Sequence, residues 1–195
     1  MSTLAIYGDA GEEVVEEGHP PADGPPQMAG VAKAWEAAAA DAVANRIVML
    51  RTAVVLDPGT PAFDRLRTLT KLGLGGRIAS GRQWVSWIHI DDYLNAVRFI
   101  ARHDELCGVV HVTAPKPIRN SDMMRSLRRA FHRPWSPPTP GPAVHVGAAL
   151  MRSDPALALT GRRCVPVRLQ RSDFGFRHPD FDAAINELVD RRPAG

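Results

Sequence analysis

The run Arg46–Leu56 constrains the fold more than any other stretch, because it is almost continuously apolar and rich in β-branched side chains. A half-exposed strand would alternate apolar and polar residues, and this run does not. Its pattern is typical of a strand that is buried on both faces, as strands of parallel sheets are. Asp57 and Pro58 end the run. The sequence therefore predicts a parallel sheet with this strand inside it.

Helical and extended segments alternate on both sides of that run. The first predicted helix, Gln27–Val43, is rich in alanine, which favours helix, and Val31, Trp35 and Ala38/Ala39 are expected to share one face. The other predicted helices are Phe63–Leu72, Asp91–His103, Met123–His132, a broken helical stretch over Ala143–Leu159, and Phe181–Val189; the other predicted strands are 2–7, Gln83–Ile90 and Val109–Thr113. This alternation predicts an α/β fold with a mostly parallel sheet.

The composition fits one substantial core with a small appendage, since the chain has 195 residues and is 45% apolar. No apolar run is long enough to span a membrane, and the first residues lack the pattern of a secretion signal. We therefore expect a cytoplasmic protein. In that compartment Cys107 and Cys164 are predicted to be unlinked, buried thiols, with a disulfide as the alternative.

The charge is unevenly distributed along the chain. Residues 1–45 hold eight acidic residues and one basic residue, and the remainder holds 23 basic and 13 acidic residues. Basic surfaces bind phosphate or nucleic acid. Aromatic residues do not interleave with the arginines as they do on surfaces that stack single-stranded nucleic acid. The charge therefore favours a smaller, phosphate-bearing ligand over nucleic acid.

The segment Gly73–Asp92 joins a glycine-rich loop, a strand with two tryptophans and the start of a helix. Asp92, or Asp91, is predicted to cap that helix. His89 beside the two aspartates suggests a metal, but we expect none, because no further histidine or cysteine falls at ligand spacing. For Trp84 and Trp87 the alternatives are core or cleft wall on one hand and stacking on a ligand ring on the other.

The order of motifs along the chain resembles a known family. The motifs are Tyr7-Gly-Asp, Trp35-Glu-Ala-Ala-Ala, Leu50-Arg-Thr-Ala-Val-Val-Leu, Leu72-Gly-Leu-Gly-Gly, Ser80-Gly-Arg-Gln-Trp, Trp87-Ile-His-Ile-Asp-Asp, Val112-Thr-Ala-Pro, Gly161-Arg-Arg-Cys-Val-Pro and Phe174-Gly-Phe-Arg-His-Pro. This set resembles the NAD(P)-binding "epimerase family" of atypical extended short-chain dehydrogenases/reductases. The last motifs resemble its C-terminal domain of unknown function, DUF1731.

The resemblance implies a Rossmann-like, doubly wound sheet over residues 1–140 and a small, mainly helical domain over 141–195. The family's Gly-x-x-Gly-x-x-Gly turn, which holds the cofactor pyrophosphate, is missing. The resemblance thus implies a truncated, C-terminal portion, whose binding of NADP or NAD by itself is in doubt. It further implies an epimerase or reductase acting on a nucleotide-sugar or similar small molecule. The alternative is a non-catalytic, cofactor-sensing or protein-interaction domain.

The family resemblance also assigns the catalytic positions. Thr3 takes the place of the residue that orients the substrate, but Met28 stands where the acid/base tyrosine belongs and Ala32 where its lysine belongs. Met28 cannot transfer a proton, so whether the chain is an enzyme stays uncertain. Tyr7 is the phenol nearest to these positions. For it a catalytic contact and local packing at the strand end are both open.

Further site residues follow from their places in the resemblance. Val54 and Val55 are expected to meet the cofactor through backbone atoms or to be plain core residues. Arg51, inside an apolar strand, is expected to hold a cofactor phosphate or a structural ion pair. The expected substrate-binding residues are Arg82, Trp87 and His89, with a surface role open for Arg82 and a hydrogen-bonded structural role for His89. An exposed sheet edge predicts a homodimer or association with a missing N-terminal half.

Overall fold

A computed structural model describes residues 1–23, 27–142, 144 and 155–191. At its centre lies a parallel sheet of three strands in the order β1 (Ser2–Thr3), β3 (Val48–Thr52) and β7 (Gly108–Val112). Thr52 is in register with Thr3 on one side and with Val112 on the other. The strands of this sheet therefore end at one common carboxyl edge.

Three small two-stranded sheets lie around this centre. β2 (Val14–Val15) runs parallel to β9 (Arg163–Cys164), and β4 (Val54–Leu56) runs parallel to β6 (Trp87–His89). β5 (Trp84–Val85) is antiparallel to β8 (Ile118–Arg119). The second of these sheets continues the direction of β3, because β4 follows β3 after one residue.

Helices connect and cover the strands. They are α1 (Gln27–Ala40), α2 (Pro61–Lys71), α3 (Ile90–Arg102), α4 (Asn120–Ala130), α5 (Ala156–Leu159), α6 (Val167–Arg171) and α7 (Phe181–Asp190), with a short 3-10 helix at Leu4–Tyr7. Together with the parallel strands they confirm the predicted α/β class. Residues 143 and 145–154 of the predicted helical stretch lie outside the described part of the chain, and the predicted domain boundary near residue 140 stays a prediction.

The core is organised around Trp87 on one side of the sheet system. Its ring is fully buried and meets the ring of Phe181 edge-on at 4.9 Å between centroids. The indole N–H donates to the carbonyl of Lys116 at 3.0 Å, which satisfies the polar end of the side chain. Ile185 and Leu188 of α7 belong to the same cluster. The C-terminal helix is thus packed into the core by apolar contacts.

Two predicted strands are divided in the structure, and a third is shortened. Residues 46–56 form β3 and β4, because Ala53 N–H still donates to β7 at Val112 whereas Val54 N–H donates to Ser86. Residues 83–90 form β5 and β6, because Ser86 uses its hydroxyl to hold the segment around Cys164. Residues 2–7 are a strand only at Ser2–Thr3. The Thr3 hydroxyl accepts from Ala5 N–H and turns the chain into the 3-10 helix.

The face of α1 that carries Val31 and Trp35 is not the buried one. Val31 is 43% and Trp35 is 55% exposed, whereas Ala29 and Ala32 are fully buried. The small alanine side chains let the helix pack against the 3-10 helix, and Ala32 lies in one apolar cluster with Leu4 and Ile6. α1 therefore presents Val31 and Trp35 outward.

The cap of α3 was predicted wrongly. The capping residue is His89, whose Nδ1 accepts from Asp91 N–H at 3.1 Å. Asp92 is fully buried, and its two carboxylate oxygens accept from the backbone N–H groups of Arg177 and His178. The carboxylate thus ties the C-terminal segment to α3 instead of capping the helix.

Both cysteines have free thiols, as predicted, but only Cys164 is buried and Cys107 is exposed. Burial raises the pKa of the Cys164 thiol to about 12, so it stays protonated at neutral pH. Within the described residues, no helix has the length and apolar character needed to cross a membrane.

Candidate functional site

Threonine side chains stand at the carboxyl edge of the central sheet, where parallel α/β sheets bind ligands. Thr3 and Thr52 end neighbouring strands and are paired in register. The Thr3 oxygen accepts from Ala5 N–H at 3.2 Å, so its own hydrogen stays available for a second bond. The Thr52 hydroxyl is buried and has no hydrogen-bond partner in the described part of the chain. This edge therefore offers a hydroxyl that lacks a partner, beside one that can still donate.

The two predicted cofactor-contacting valines follow directly after this edge. Val54 is 41% exposed, and Val55 is partly buried against the cluster around Ile88. The backbone N–H of Val54 already donates to Ser86 at 3.2 Å. A ligand at the carboxyl edge would thus meet the Val54 side chain more readily than its N–H, and the cofactor contacts of both residues stay predictions.

Arg51 and Tyr7 belong to a buried polar network that the sequence did not reveal. The Arg51 guanidinium donates from Nε and NH2 to both carboxylate oxygens of Glu36, at 2.9 and 2.7 Å. From NH1 it donates to the Tyr7 hydroxyl at 2.6 Å. The Ser2 hydroxyl donates to Glu36 at 2.6 Å. The ion pair that was one alternative for Arg51 is thus present, and it uses the guanidinium groups that would otherwise contact a cofactor phosphate.

His111 completes the network, and its contacts fix its tautomer. Nδ1 lies 3.0 Å from the carbonyl oxygen of Val165, which only accepts, so Nδ1 carries the hydrogen. Nε2 is therefore the acceptor, and the Tyr7 hydroxyl donates to it at 2.6 Å. Burial lowers the pKa of His111 to about 4, and the positive charge of Arg51 contributes. The imidazole is thus neutral at physiological pH.

The same surroundings make Tyr7 a weak acid. Burial raises the pKa of Tyr7 to about 12, even though Arg51 acts in the opposite direction. The residue is 4% exposed, and its hydroxyl hydrogen is used on His111. This geometry favours the packing role over proton transfer to a ligand, and the catalytic role of Tyr7 stays an untested prediction.

Replacing Tyr7 by phenylalanine is expected to lower the free energy of unfolding by about 1 to 3 kcal/mol. The change removes the partner of Arg51 NH1 and of His111 Nε2, and leaving buried polar groups unpaired costs about that much. Urea unfolding followed by circular dichroism measures the effect. Tyr93→Phe is the matched control, because the Tyr93 hydroxyl contacts Met1 at an exposed position; equal stability losses in both variants would contradict the network's role.

A second polar group lies on the surface around Trp84, and we call it the Trp84 surface: Trp84, Arg82, Arg119 and Arg163, with Glu12. The guanidinium carbons of Arg119 and Arg163 lie 4.2 and 4.8 Å from the centre of the Trp84 ring. Arg119 donates to both oxygens of Glu12 at 2.8 and 2.6 Å, and the Trp84 indole N–H donates to the same carboxylate at 3.1 Å.

Arg82 is the one residue of the Trp84 surface that was also predicted from the sequence to bind substrate. Its side chain is exposed, and its carbonyl oxygen accepts from Arg119. The hydrogen bonds from Arg119 and Trp84 lower the pKa of Glu12 to about 2, and the positive charge of Arg82 adds to this lowering. Sequence reasoning found Arg82 but missed Arg119 and Arg163. No local pattern indicates them, because they follow Arg82 by many residues and are brought together only by β8 and β9.

His89, the last residue of β6, is fully buried. Nε2 lies 2.7 Å from Glu187, and the ring stacks on that of His178 at 3.7 Å between centroids. Burial lowers the pKa of His89, although Glu187 acts in the opposite direction. This is the hydrogen-bonded structural role that was one alternative for the residue; a substrate contact stays untested.

His89, Asp91 and His178 offer ligand atoms that all lie within 4.8 Å of one another. The sequence had indicated His89 and the neighbouring aspartates but not His178, because His178 is distant from them in the chain. Asp91 already forms a bidentate pair with Arg191 at 3.2 and 2.7 Å, and both nitrogens of His89 are engaged. A cation there would have to displace Arg191, so we assign no metal to this group.

Comparison with known proteins places this geometry in a family. Residues 139–188 match the family model described as "Domain of unknown function (DUF1731)". The "Epimerase family protein Mb2239" of Mycobacterium bovis is 34% identical over 192 residues, which cover 97% of this chain and 62% of the relative. The "Epimerase family protein SDR39U1 homolog, chloroplastic" of Arabidopsis thaliana is 30% identical, with coverage of 96% and 53%. The chain belongs to the epimerase family. It spans 62% of the length of its mycobacterial relative.

Solved structures agree with this membership. The human epimerase family protein SDR39U1, determined with NADPH, superposes with a TM-score of 0.88 at 27% identity, covering 98% of this chain and 64% of that one. A nucleoside-diphosphate sugar epimerase from Corynebacterium glutamicum superposes with a TM-score of 0.72 at 30% identity, covering 99% and 37%. The predicted family and the Rossmann-like fold class are thus confirmed for this epimerase family member. Nicotinamide cofactor binding is a property found among its relatives.

Proposed function

We propose that this epimerase family protein forms the substrate side of an NAD(P)-dependent epimerase or reductase that acts on a nucleotide-sugar or a similar hydroxyl or carbonyl compound in the cytoplasm. The observation that carries the proposal is the Thr52 hydroxyl, buried at the carboxyl edge without a partner among the described residues. Buried polar groups in native proteins are nearly always paired. A polar group of a bound ligand would supply the partner.

Thr3 would act beside Thr52 on the same ligand. Its oxygen already accepts from Ala5 N–H, so it would use its hydrogen to donate to a substrate hydroxyl or carbonyl oxygen. This is the orienting role that the family resemblance implies for the position. Tyr7 would support the site indirectly, by holding Arg51 beneath the end of β3.

The residues described here fit one end of a dinucleotide cofactor only. Val54 and the threonine edge would border its nicotinamide ring, which supplies hydride transfer when the cofactor is bound. Its pyrophosphate is held in this fold by a glycine-rich turn after the first strand. Here β1 is followed by the 3-10 helix Leu4–Tyr7. The described part of the chain thus provides no such turn. Any catalysis would need a pyrophosphate-binding turn supplied by another segment or another chain.

Replacing Thr52 by valine tests the proposal with two readouts. Removing a hydroxyl that has no partner among the described residues is expected to leave the free energy of unfolding unchanged or slightly higher. The affinity for UDP-glucose, measured by isothermal titration calorimetry, is expected to fall by about fivefold, the equivalent of one lost hydrogen bond. Thr70→Val is the matched control, because the buried Thr70 hydroxyl donates to Leu66 at 2.7 Å; that variant should lose stability and keep its affinity.

Unchanged UDP-glucose affinity in Thr52→Val would contradict the proposed role of this edge.

The non-catalytic alternative, a cofactor-sensing or protein-interaction domain, is favoured by Met28 at the position of the acid/base tyrosine. The two are separated by following conversion of UDP-glucose with NADPH and with NADP⁺ present. If the wild type forms product and Thr3→Ala forms less of it, the result supports the enzymatic function. If the ligand binds and no product forms, the result supports the non-catalytic alternative.

We also propose that the protein associates either with a second copy of itself or with the N-terminal, cofactor-binding half that its family relatives contain. The support is the outward apolar face of α1, where Val31 and Trp35 are 43% and 55% exposed. Exposed apolar faces of this kind favour association. Static light scattering is expected to give a mass above that of the monomer, and Trp35→Glu is expected to reduce it. A monodisperse monomer at all concentrations would contradict self-association.

A further inference from the structure

We infer that the Trp84 surface is a binding site for the phosphate groups of a ligand, and that the Glu12 carboxylate occupies this site when no ligand is bound. The ligand class is a diphosphate-bearing small molecule. The inference rests on the proposed function only for the identity of that molecule. Anion binding at the site requires neither a cofactor nor turnover.

The arginines of the Trp84 surface come from separate elements but converge on one ring. Arg119 belongs to β8 and Arg163 to β9, and both guanidinium groups stack on Trp84. Arg82 precedes β5 and has an exposed side chain. Stacked guanidinium groups are fixed in orientation and keep their outward N–H groups available, which is the arrangement that binds phosphate well. The surface thus has the charge and the rigidity that a diphosphate site needs.

The contact with Glu12 shows that the site accepts an anion. Arg119 engages both carboxylate oxygens, and the Trp84 indole N–H makes a third bond. Phosphate offers the same pair of acceptor oxygens to a guanidinium and carries more charge. The Glu12 side chain is 59% exposed, and an ion pair with this exposure contributes little to stability. A phosphate group can therefore displace it at low cost to the fold.

A buried arginine beside the site adds a second and independent indication. The backbone N–H of Arg162 donates to the Trp84 carbonyl at 3.1 Å, which places the residue beside the main chain of β5. Its Nε is buried and lacks a hydrogen-bond partner within the residues that the structure describes. Burial lowers the pKa of this guanidinium, and Asp9 acts in the opposite direction. Arg162 is thus a further positive charge beside β5, and an anion on the Trp84 surface would help to offset it.

The experiment is a calorimetric titration of the full chain with inorganic pyrophosphate at low ionic strength, where screening is weak. Glu12→Gln removes the competing charge but keeps the size of the side chain. We expect it to bind pyrophosphate about two- to fivefold more tightly than the wild type, the range that an exposed ion pair is worth. Arg119→Gln is expected to bind about tenfold more weakly, because it loses a charge-assisted, bidentate contact.

Two control variants separate a specific site from overall charge. Glu13→Gln makes the same charge change one residue away, where the carboxylate lies 3.4 Å from His19 instead of an arginine. Arg129→Gln removes a charge from another basic surface, a cavity of about 520 Å³ bordered by arginines at the end of α4. Both are expected to bind pyrophosphate like the wild type. The inference is overturned if Glu12→Gln and Glu13→Gln behave alike, or if Arg119→Gln keeps wild-type affinity.

UDP and NADPH then distinguish the two sources of a diphosphate group. The molecule whose affinity rises in Glu12→Gln, in parallel with that of pyrophosphate, is the one that places its diphosphate on the Trp84 surface. Turnover plays no part in this readout, so a catalytically silent protein would still pass or fail the test. Conversely, if Thr52→Val and Thr3→Ala had no effect on UDP-glucose, the proposed function would fail while the pyrophosphate affinities would be unaffected.

Discussion

Replacing Glu36 by alanine is expected to lower the free energy of unfolding by about 3 to 5 kcal/mol, because it leaves the Arg51 guanidinium as an unpaired buried charge. Arg51 is 4% exposed and lies inside the central sheet. Both carboxylate oxygens of Glu36 accept hydrogen bonds from its guanidinium group. Urea unfolding followed by circular dichroism gives the value.

The matched control for Glu36 is an exposed ion pair of the same length. Arg125 and Asp122 lie 2.7 Å apart on α4, with side chains 52% and 45% exposed, and Arg51 and Glu36 are also 2.7 Å apart. Arg125→Ala is expected to cost less than about 0.5 kcal/mol, since exposed pairs contribute little. Similar losses for the two variants would show that burial does not determine the strength of the Glu36 pair.

The same pair predicts how stability depends on pH. Burial raises the pKa of Glu36, but the hydrogen bonds from Arg51 and Ser2 outweigh it, so that the pKa lies below the ordinary 4.5. A carboxylate with a lowered pKa stabilises the fold above its unfolded-state pKa, and that contribution is lost as the pH falls through the folded-state pKa. The wild type should therefore lose stability below pH 4.5 more steeply than Glu36→Gln. Parallel curves would contradict this.

The second large effect is expected at Trp87. Trp87→Ala should lower the free energy of unfolding by about 3 to 5 kcal/mol, because it opens a cavity in the core. The change removes the edge-on contact with Phe181 and leaves the carbonyl of Lys116 without its donor. Circular dichroism is the suitable probe, since the substitution itself alters tryptophan fluorescence.

Trp135 provides the control for Trp87, because the same chemical change is made at a position that is 73% exposed. Trp135→Ala is expected to change the stability by less than about 0.5 kcal/mol. Trp87 was also predicted to bind substrate. Its complete burial favours the core alternative, and a Trp87 variant that kept its stability but lost ligand affinity would reverse that assignment.

The fold was accessible from the sequence where the signal is local. The apolar run from 46 to 56 indicated a parallel sheet because its composition alone excludes a half-exposed strand. The division of that run at Ala53 was not accessible, because it depends on the change of hydrogen-bond partner from Val112 to Ser86. The outward face of α1 was missed for a related reason. Apolar spacing identifies a face but does not reveal whether anything covers it.

The site was accessible only in part, because its contacts join distant residues. Arg51 inside an apolar strand predicted a partner, but nothing local identified Glu36. Glu12 and Arg119 are 107 positions apart, and no spacing rule links them. Thr3 and Arg82 were found through the family resemblance. The Thr52 hydroxyl, which has no partner within the described part of the chain, adjoins Arg51 in the same motif and becomes recognisable only when the neighbouring strands are in place.

The most direct test follows the tryptophan indole N–H signals by NMR while inorganic pyrophosphate is added. The chain has four tryptophans, so each signal can be assigned by single substitution. The Trp84 signal is expected to shift as pyrophosphate replaces Glu12, the acceptor of its hydrogen bond, while the exposed Trp135 keeps its signal. A saturating titration that moves the Trp135 signal and leaves that of Trp84 in place, or that moves neither, would contradict this expectation.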